Sequence, residues 1–114
     1  MNENNLVVLR GRVSAEPTLR ELASGALVAQ FDLTVAEGTT TASVPVAWID
    51  PPAARIPAID QAVVVLGSVR RRFFRAGGTT QSRTEVVADH VVGANRRREV
   101  ERLLAAVPLF TPAG

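Results

Sequence analysis

Cysteine is absent from this 114-residue chain, which therefore holds no disulfide framework, no thiolate nucleophile and no cysteine-ligated zinc. Histidine occurs once, at His90, which rules out a multi-histidine metal site or a histidine-based triad built from one chain. Lysine is also missing. All 13 basic residues are arginine, a bias that a genome rich in G and C produces without any function. No apolar run approaches the roughly 20 residues needed to span a bilayer, so no membrane partner is expected. The opening residues, MNENN, carry neither a basic n-region nor an apolar h-region, so no secretory signal is expected and the expected location is cytoplasmic. The carboxylates Asp32, Asp50, Asp60, Glu85 and Asp89 are scattered without a paired spacing, and no glycine-rich phosphate loop is present. These absences predict no cofactor, no metal and no enzymatic activity.

What is present is a chain of one-domain length with 46% apolar residues and a net charge of only +2. Five stretches read as strands. Leu6–Val13 is rich in β-branched residues and contains Gly11, a signal for a bend or bulge. Ala26–Ala36 puts Leu27, Ala29, Phe31, Leu33 and Val35 on one face, and Phe31 is expected in the core. Ser43–Ile49 contains Pro45, which cannot donate to a ladder, so that strand is expected at an edge or locally broken. Gln61–Phe74 is the longest, bent at Gly67. Thr79–Val92 returns after the Ala76–Gly78 turn, with Val86, Ala88, His90 and Val92 on one face and His90 in a structural role. Thr18–Leu22 is a short extended piece, and Glu37–Thr41 a polar loop. Asp50–Ile59 opens like a short helix with Asp50 as its N-cap. This order fits an all-β, five-stranded barrel of the oligonucleotide/oligosaccharide-binding (OB) type over residues 1–93, followed by a short C-terminal helix and tail over 94–114.

The stretch Gly67–Gly78, GSVRRRFFRAGG, crowds Arg70, Arg71, Arg72 and Arg75 around two phenylalanines. Alternation along a strand puts Arg70, Arg72 and Phe74 on one face and Arg71 and Phe73 on the other. Guanidinium groups neutralise phosphate, and a ring offers a plane on which an unpaired base stacks, so the first face suits a single-stranded nucleic acid. The competing reading is a solvated hairpin arm whose charges discourage edge pairing. Phe73 reads as packing or a subunit contact. Arg10, Arg12 and Arg20 are either phosphate contacts or solvent-facing residues. Arg96–Arg98 reads as a solvated face.

The segments NLVVLRGRVSAEPTLR (5–20), SGALVAQFDLTVAE (24–37), VLGSVRRRFF (65–74) and TEVVADHV (84–91) resemble the bacterial single-stranded DNA-binding protein family over about residues 5–92. The resemblance implies a five-stranded barrel that coats single strands without sequence preference, usually as a homotetramer. It implies stacking roles for Trp48 and Phe74, and backbone contacts for Arg70 and Arg72. The chain departs from the family where Thr39 and Ala42 stand in place of stacking aromatics beside a shortened loop. At about 1–3 kcal/mol per base, the two missing platforms correspond to about 2–6 kcal/mol if additive. The family's acidic, phenylalanine-ended tip is replaced by Leu109–Gly114, so recruitment through such a tip is not implied. The chain thus resembles a divergent, minimal member.

The sequence therefore nominates Arg10, Arg12, Arg20, Trp48, Arg70, Arg72, Phe74 and Arg75 as nucleic-acid-binding residues. The expected partner is single-stranded DNA, with RNA as the lesser alternative, in replication, recombination or repair near the nucleoid. The alternative function is a protein-interaction or assembly module on the same barrel. Self-association as a dimer or tetramer is expected, because Leu6–Val13 is apolar on both faces. Asn95–Val107 carries Val100, Leu103, Leu104 and Val107 at helical spacing, with Asn95 as N-cap and Pro108 as terminator. That helix is expected to pack on a barrel, preferentially across a subunit boundary.

Overall fold

Alternating apolar residues need a partner surface, and in the computed structural model, which describes residues 3–107, the strands find it by curling into a closed barrel. The elements in chain order are β1 (Val7–Val13), β2 (Thr18–Glu21), β3 (Leu27–Glu37), β4 (Thr40–Ile49), a 3-10 turn (Ala53–Arg55), β5 (Ala62–Ala76), β6 (Thr79–Gly93) and helix α1 (Arg97–Ala105). The sheet runs β1-β5-β6-β4-β3, and β1 pairs back onto β3 to close the ring. β2 lies outside the ring as a sixth strand on the edge of β3. The five barrel strands and the C-terminal helix are those expected for an OB fold.

The core is made of the inward positions of each strand. Ala29, Phe31 and Leu33 of β3 are buried against Val46 and Trp48 of β4, Val63 and Val65 of β5, and Val86, Ala88 and Val91 of β6. β-branched side chains dominate because they pack well on a pleated surface. Pro45 is accommodated because β6 reaches β4 only over Val46–Trp48. Its missing N–H therefore falls outside that parallel ladder.

A bulge in β6 corrects the facing expected from simple alternation. Leu66 pairs with His90 and Gly67 with Ala88, so Asp89 has no counterpart on β5. The extra residue shifts the inward set from Val86 and Ala88 to Val91. His90 is exposed rather than structural, and Val92 faces outward beneath α1. Gly67 stands at this bulge with room only for a hydrogen. A Cβ there would collide with the backbone carbonyl of Val87.

Three other expectations change. The β3–β4 connection is a two-residue turn at Gly38–Thr39, not a five-residue loop. Asp50 is not a helix N-cap. Its backbone has φ 50°, and its Oδ1 accepts from the Leu27 N–H at 2.9 Å, so it ties β4 to the start of β3. Asn95 does not cap α1 either, because Arg96 occupies that position and makes no side-chain capping bond.

Helix α1 packs on its own barrel. Val100 is buried with Val64 and Val92, and Leu103 packs against them. Arg55, in the turn after β4, donates to both Glu99 oxygens at 3.0 and 3.1 Å. This hydrogen bond, opposed by desolvation and assisted by the charges of Arg55 and Arg96, holds the Glu99 carboxyl below its ordinary value. Its contribution is present above the ordinary carboxylate range and is lost as pH falls through the lowered one. The stripe expected from sequence is used only in part, since Leu104 is 39% exposed. Pro108 and Leu109–Gly114 lie outside the described residues.

Gly67→Ala should therefore destabilise the barrel by at least about 1–3 kcal/mol, the usual cost of overpacking, because the obstacle is backbone rather than a movable side chain. Urea unfolding of the variant measures this directly.

Candidate nucleic-acid interface

The two longest strands, β5 and β6, continue past the barrel as a hairpin arm. Their pairing persists to Ala76–Thr79 at the tip. The outward face of the arm meets the outer surface of β2, β3 and β4 in an open groove of about 390 Å³. Val28, Ala47, Ile49 and Val87 provide its apolar lining, and Gln30 adds an amide. Arg70, Arg72 and Glu85 come from the arm, and Arg20 and Leu22 from β2 and the residue after it. Strand period explains the selection. Arg20 pairs with Val28, and Val28 with Ile49, so these outward positions fall in one row across three strands.

Four of the eight nominated residues share this outward face: Arg20, Arg70, Arg72 and Phe74. Phe74 lies beyond Arg72 toward the arm tip, and the Arg72 guanidinium carbon stands 5.3 Å from its ring centroid. The remaining four lie elsewhere. Arg75 has the opposite parity on β5 and donates to the Gly78 carbonyl at 2.9 Å. Arg10 and Arg12 project from β1 beside a separate hollow formed with Thr34, Ala36 and Asp60. Arg12 is further engaged, donating Nη1 to the Asp60 carbonyl at 2.7 Å.

Trp48 requires a correction. It is 7% exposed and lies in the barrel core with Ala29 and Ala88 as its cross-strand neighbours. A ring enclosed in this way offers no plane to a base. The outward residue at that end of β4 is Ile49, which is 49% exposed and lines the groove. The sequence held the signal, because Val44, Val46 and Trp48 share one parity and Ala47 and Ile49 the other. Of the two readings of Phe73, packing within the chain is overturned, since its ring is 65% exposed.

Glu85 is the second residue missed from sequence. Only 6% exposed, its Oε1 accepts from Arg72 Nε at 3.0 Å. The pair joins Arg72 to the residue diagonally across the hairpin, since Glu85 lies directly opposite Arg70. Half of the Arg72 fork is thus held in place by a carboxylate. Among the described residues, Arg20 and Arg70 have no carboxylate at ion-pair distance. The groove therefore keeps a positive excess next to an apolar floor, an arrangement that suits phosphate on one side and bases on the other.

No family model matches the sequence, and no curated protein matches it. Among solved structures, one described as Plasmodium falciparum SSB complex with ssDNA is similar to this chain with a TM-score of 0.65 and 22% identity. The match covers 82% of this chain and 98% of that one. The likeness is one of fold, and it agrees with the closed OB-type barrel described above.

Removing Arg72 should do more than delete a cation. Arg72→Ala leaves the buried Glu85 carboxylate without its partner, at about 1–3 kcal/mol or more of stability. Arg70→Ala should unfold at nearly the wild-type urea midpoint, and Arg72→Ala/Glu85→Ala should recover most of the loss. Equal midpoints for wild type and Arg72→Ala would contradict this account.

Proposed function

We propose that this chain binds single-stranded DNA without sequence preference, with its phosphates on Arg20, Arg70 and Arg72 and its bases against Ile49 and Phe74. The observation that carries the proposal is the convergence of arginines from β2 and β5 on one apolar-floored groove whose wall extends to an outward phenylalanine. The sequence resemblance to bacterial single-stranded DNA-binding proteins and the fold shared with the Plasmodium structure support it. In this reading the protein is a divergent member of that bacterial family, a binding protein without catalytic chemistry, acting in replication, recombination or repair. A groove that contacts backbone and ring faces does not read base edges, so pyrimidine and mixed sequences should bind similarly. The competing function, a protein-interaction or assembly module on the same barrel, predicts weak or no such binding.

Titration of labelled oligonucleotides across a range of salt separates the two. Affinity should fall steeply with salt, and Arg70→Ala should reduce the slope by about 0.7, the share of one phosphate contact on a single strand. Phe74→Ala should weaken binding by about 1–3 kcal/mol, the value of one base–ring stack, while leaving the urea midpoint near that of wild type. Salt-independent binding, or an unaltered affinity for folded Phe74→Ala, would remove the basis of the proposal.

Self-association is part of the same proposal, on altered grounds. β1 turns Val7, Leu9 and Val13 inward, so of the strand itself only Val8 is both apolar and outward, with Leu6 just before it. Val8 and Leu6 are 45% and 43% exposed. β1 meets β3 only at Arg12 and Val13, which leaves its other edge open from Val7 to Gly11. Pairing that edge with a second copy satisfies its backbone groups and covers Val8. Sedimentation at tens of micromolar (roughly a working range) should show a dimer or larger species, and Val8→Glu should shift it toward monomer.

A further inference from the structure

Beyond the barrel, the arm is a two-stranded ribbon with no third strand. β1 accompanies β5 only as far as Gly67, and β4 accompanies β6 only over Val86–Ala88. Both faces of the ribbon are therefore exposed, and the groove is lined mainly by one of them. The reverse face carries Arg71, Phe73 and Arg75 on β5, with Thr84, Ser82 and Thr80 opposite them on β6.

This reverse face is organised like the groove face, but without its carboxylate. Phe73 is 65% exposed, the largest fractional exposure of any large apolar side chain in the described residues. The Arg71 guanidinium carbon stands 5.3 Å from the Phe73 ring centroid, the same separation as between Arg72 and Phe74. Arg71 is also steadied by Ser82, whose Oγ accepts from its Nη2 at 3.0 Å. None of the six residues is acidic, so nothing on this face competes for the arginines as Glu85 does for Arg72. Arg71 borders the groove as well, which puts it at the crossing between the two faces.

We propose that this reverse face is a second station for the same strand, which leaves the groove around the free edge of the ribbon and stacks a base on Phe73. The proposal rests on the reading of the groove as a single-strand site. Charge selects the occupant. A second copy of the arm would place arginine against arginine, whereas a polyanion bearing planar rings complements both the cations and the exposed ring.

Strand length tests it. An oligothymidylate of about 8 nucleotides fills the groove alone, and one of about 30 is long enough to round the arm. Phe73→Ala should bind the short strand within about twofold of wild type and the long strand about tenfold more weakly, the size of one base–ring stack. Phe73→Trp supplies a readout independent of affinity, since the only native tryptophan, Trp48, is buried. Its fluorescence should be quenched by the long strand and not by the short one. Equal losses on both lengths, no loss on the long one, or an unquenched Trp at 73 would each overturn the proposal. A change in sedimenting mass with long-strand affinity intact would assign the face to a second copy instead. If the wild-type protein bound neither length, the reading of the groove would fall, and this proposal with it.

Discussion

The fold turns on one local constraint, the close approach of β5 to β6 at Gly67 and Asp89. A long antiparallel pair left to itself would twist steadily along its whole length. Here Gly67 lets the Val87 carbonyl approach where no Cβ fits, and the unpaired Asp89 adds a residue to the opposing strand. The bend that follows allows one end of the pair to close the barrel and the other to leave it as an arm. Val63, Val65 and Val91 belong to the first part, and the arginine run belongs to the second. The groove exists because the arm departs beside the outer faces of β2, β3 and β4.

The same constraint explains what was legible in the sequence. The strands were legible because a β-rich barrel writes its inward set as alternating apolar residues, as Ala29-Phe31-Leu33 does. Alternation is unforgiving of a slip of one. A bulge between Ala88 and Val91 exchanges the faces of everything after it, which is why His90 lies outside although Val86 and Ala88 lie inside. Trp48 failed for a related reason. Family resemblance placed an aromatic near the end of β4, but the parity shared with Val44 and Val46 turns its ring inward and Ile49 outward. Where resemblance and strand parity disagreed, parity decided the side chain's direction.

Charge was the least legible feature. A run of arginines reads as uniform in sequence, yet its members differ in three dimensions. Arg70 has no described carboxylate at ion-pair distance, Arg72 is bonded to Glu85, and Arg75 is turned back on the hairpin. The residues that separate them, Glu85 and Gly78, are distant in sequence or contribute only a carbonyl. A buried carboxylate in a basic groove lowers the local positive potential, and it also fixes the direction of one guanidinium. The groove gives up some positive potential for a preset geometry on Arg72.

Helix α1 sets the other limit of this surface. Its apolar residues cover Val64 and Val92, which share strand parity with Arg70 and Arg72 on β5 and lie nearer its barrel end. The outer face of the β5–β6 pair is thereby divided in two. One part is sealed by Val100 and Leu103, and the other is left to the arginines and Phe74. No described residue of α1 lines the groove, so the helix does not act as a lid over it. An isolated helix of nine residues is unstable in water, so α1 depends on this docking and on the Arg55–Glu99 bridge. The bridge joins α1 to the β4–β5 connection, which leads directly from Ile49 on the groove floor to β5. The helix thus braces the segment that joins the floor of the groove to its wall, without lining the groove itself.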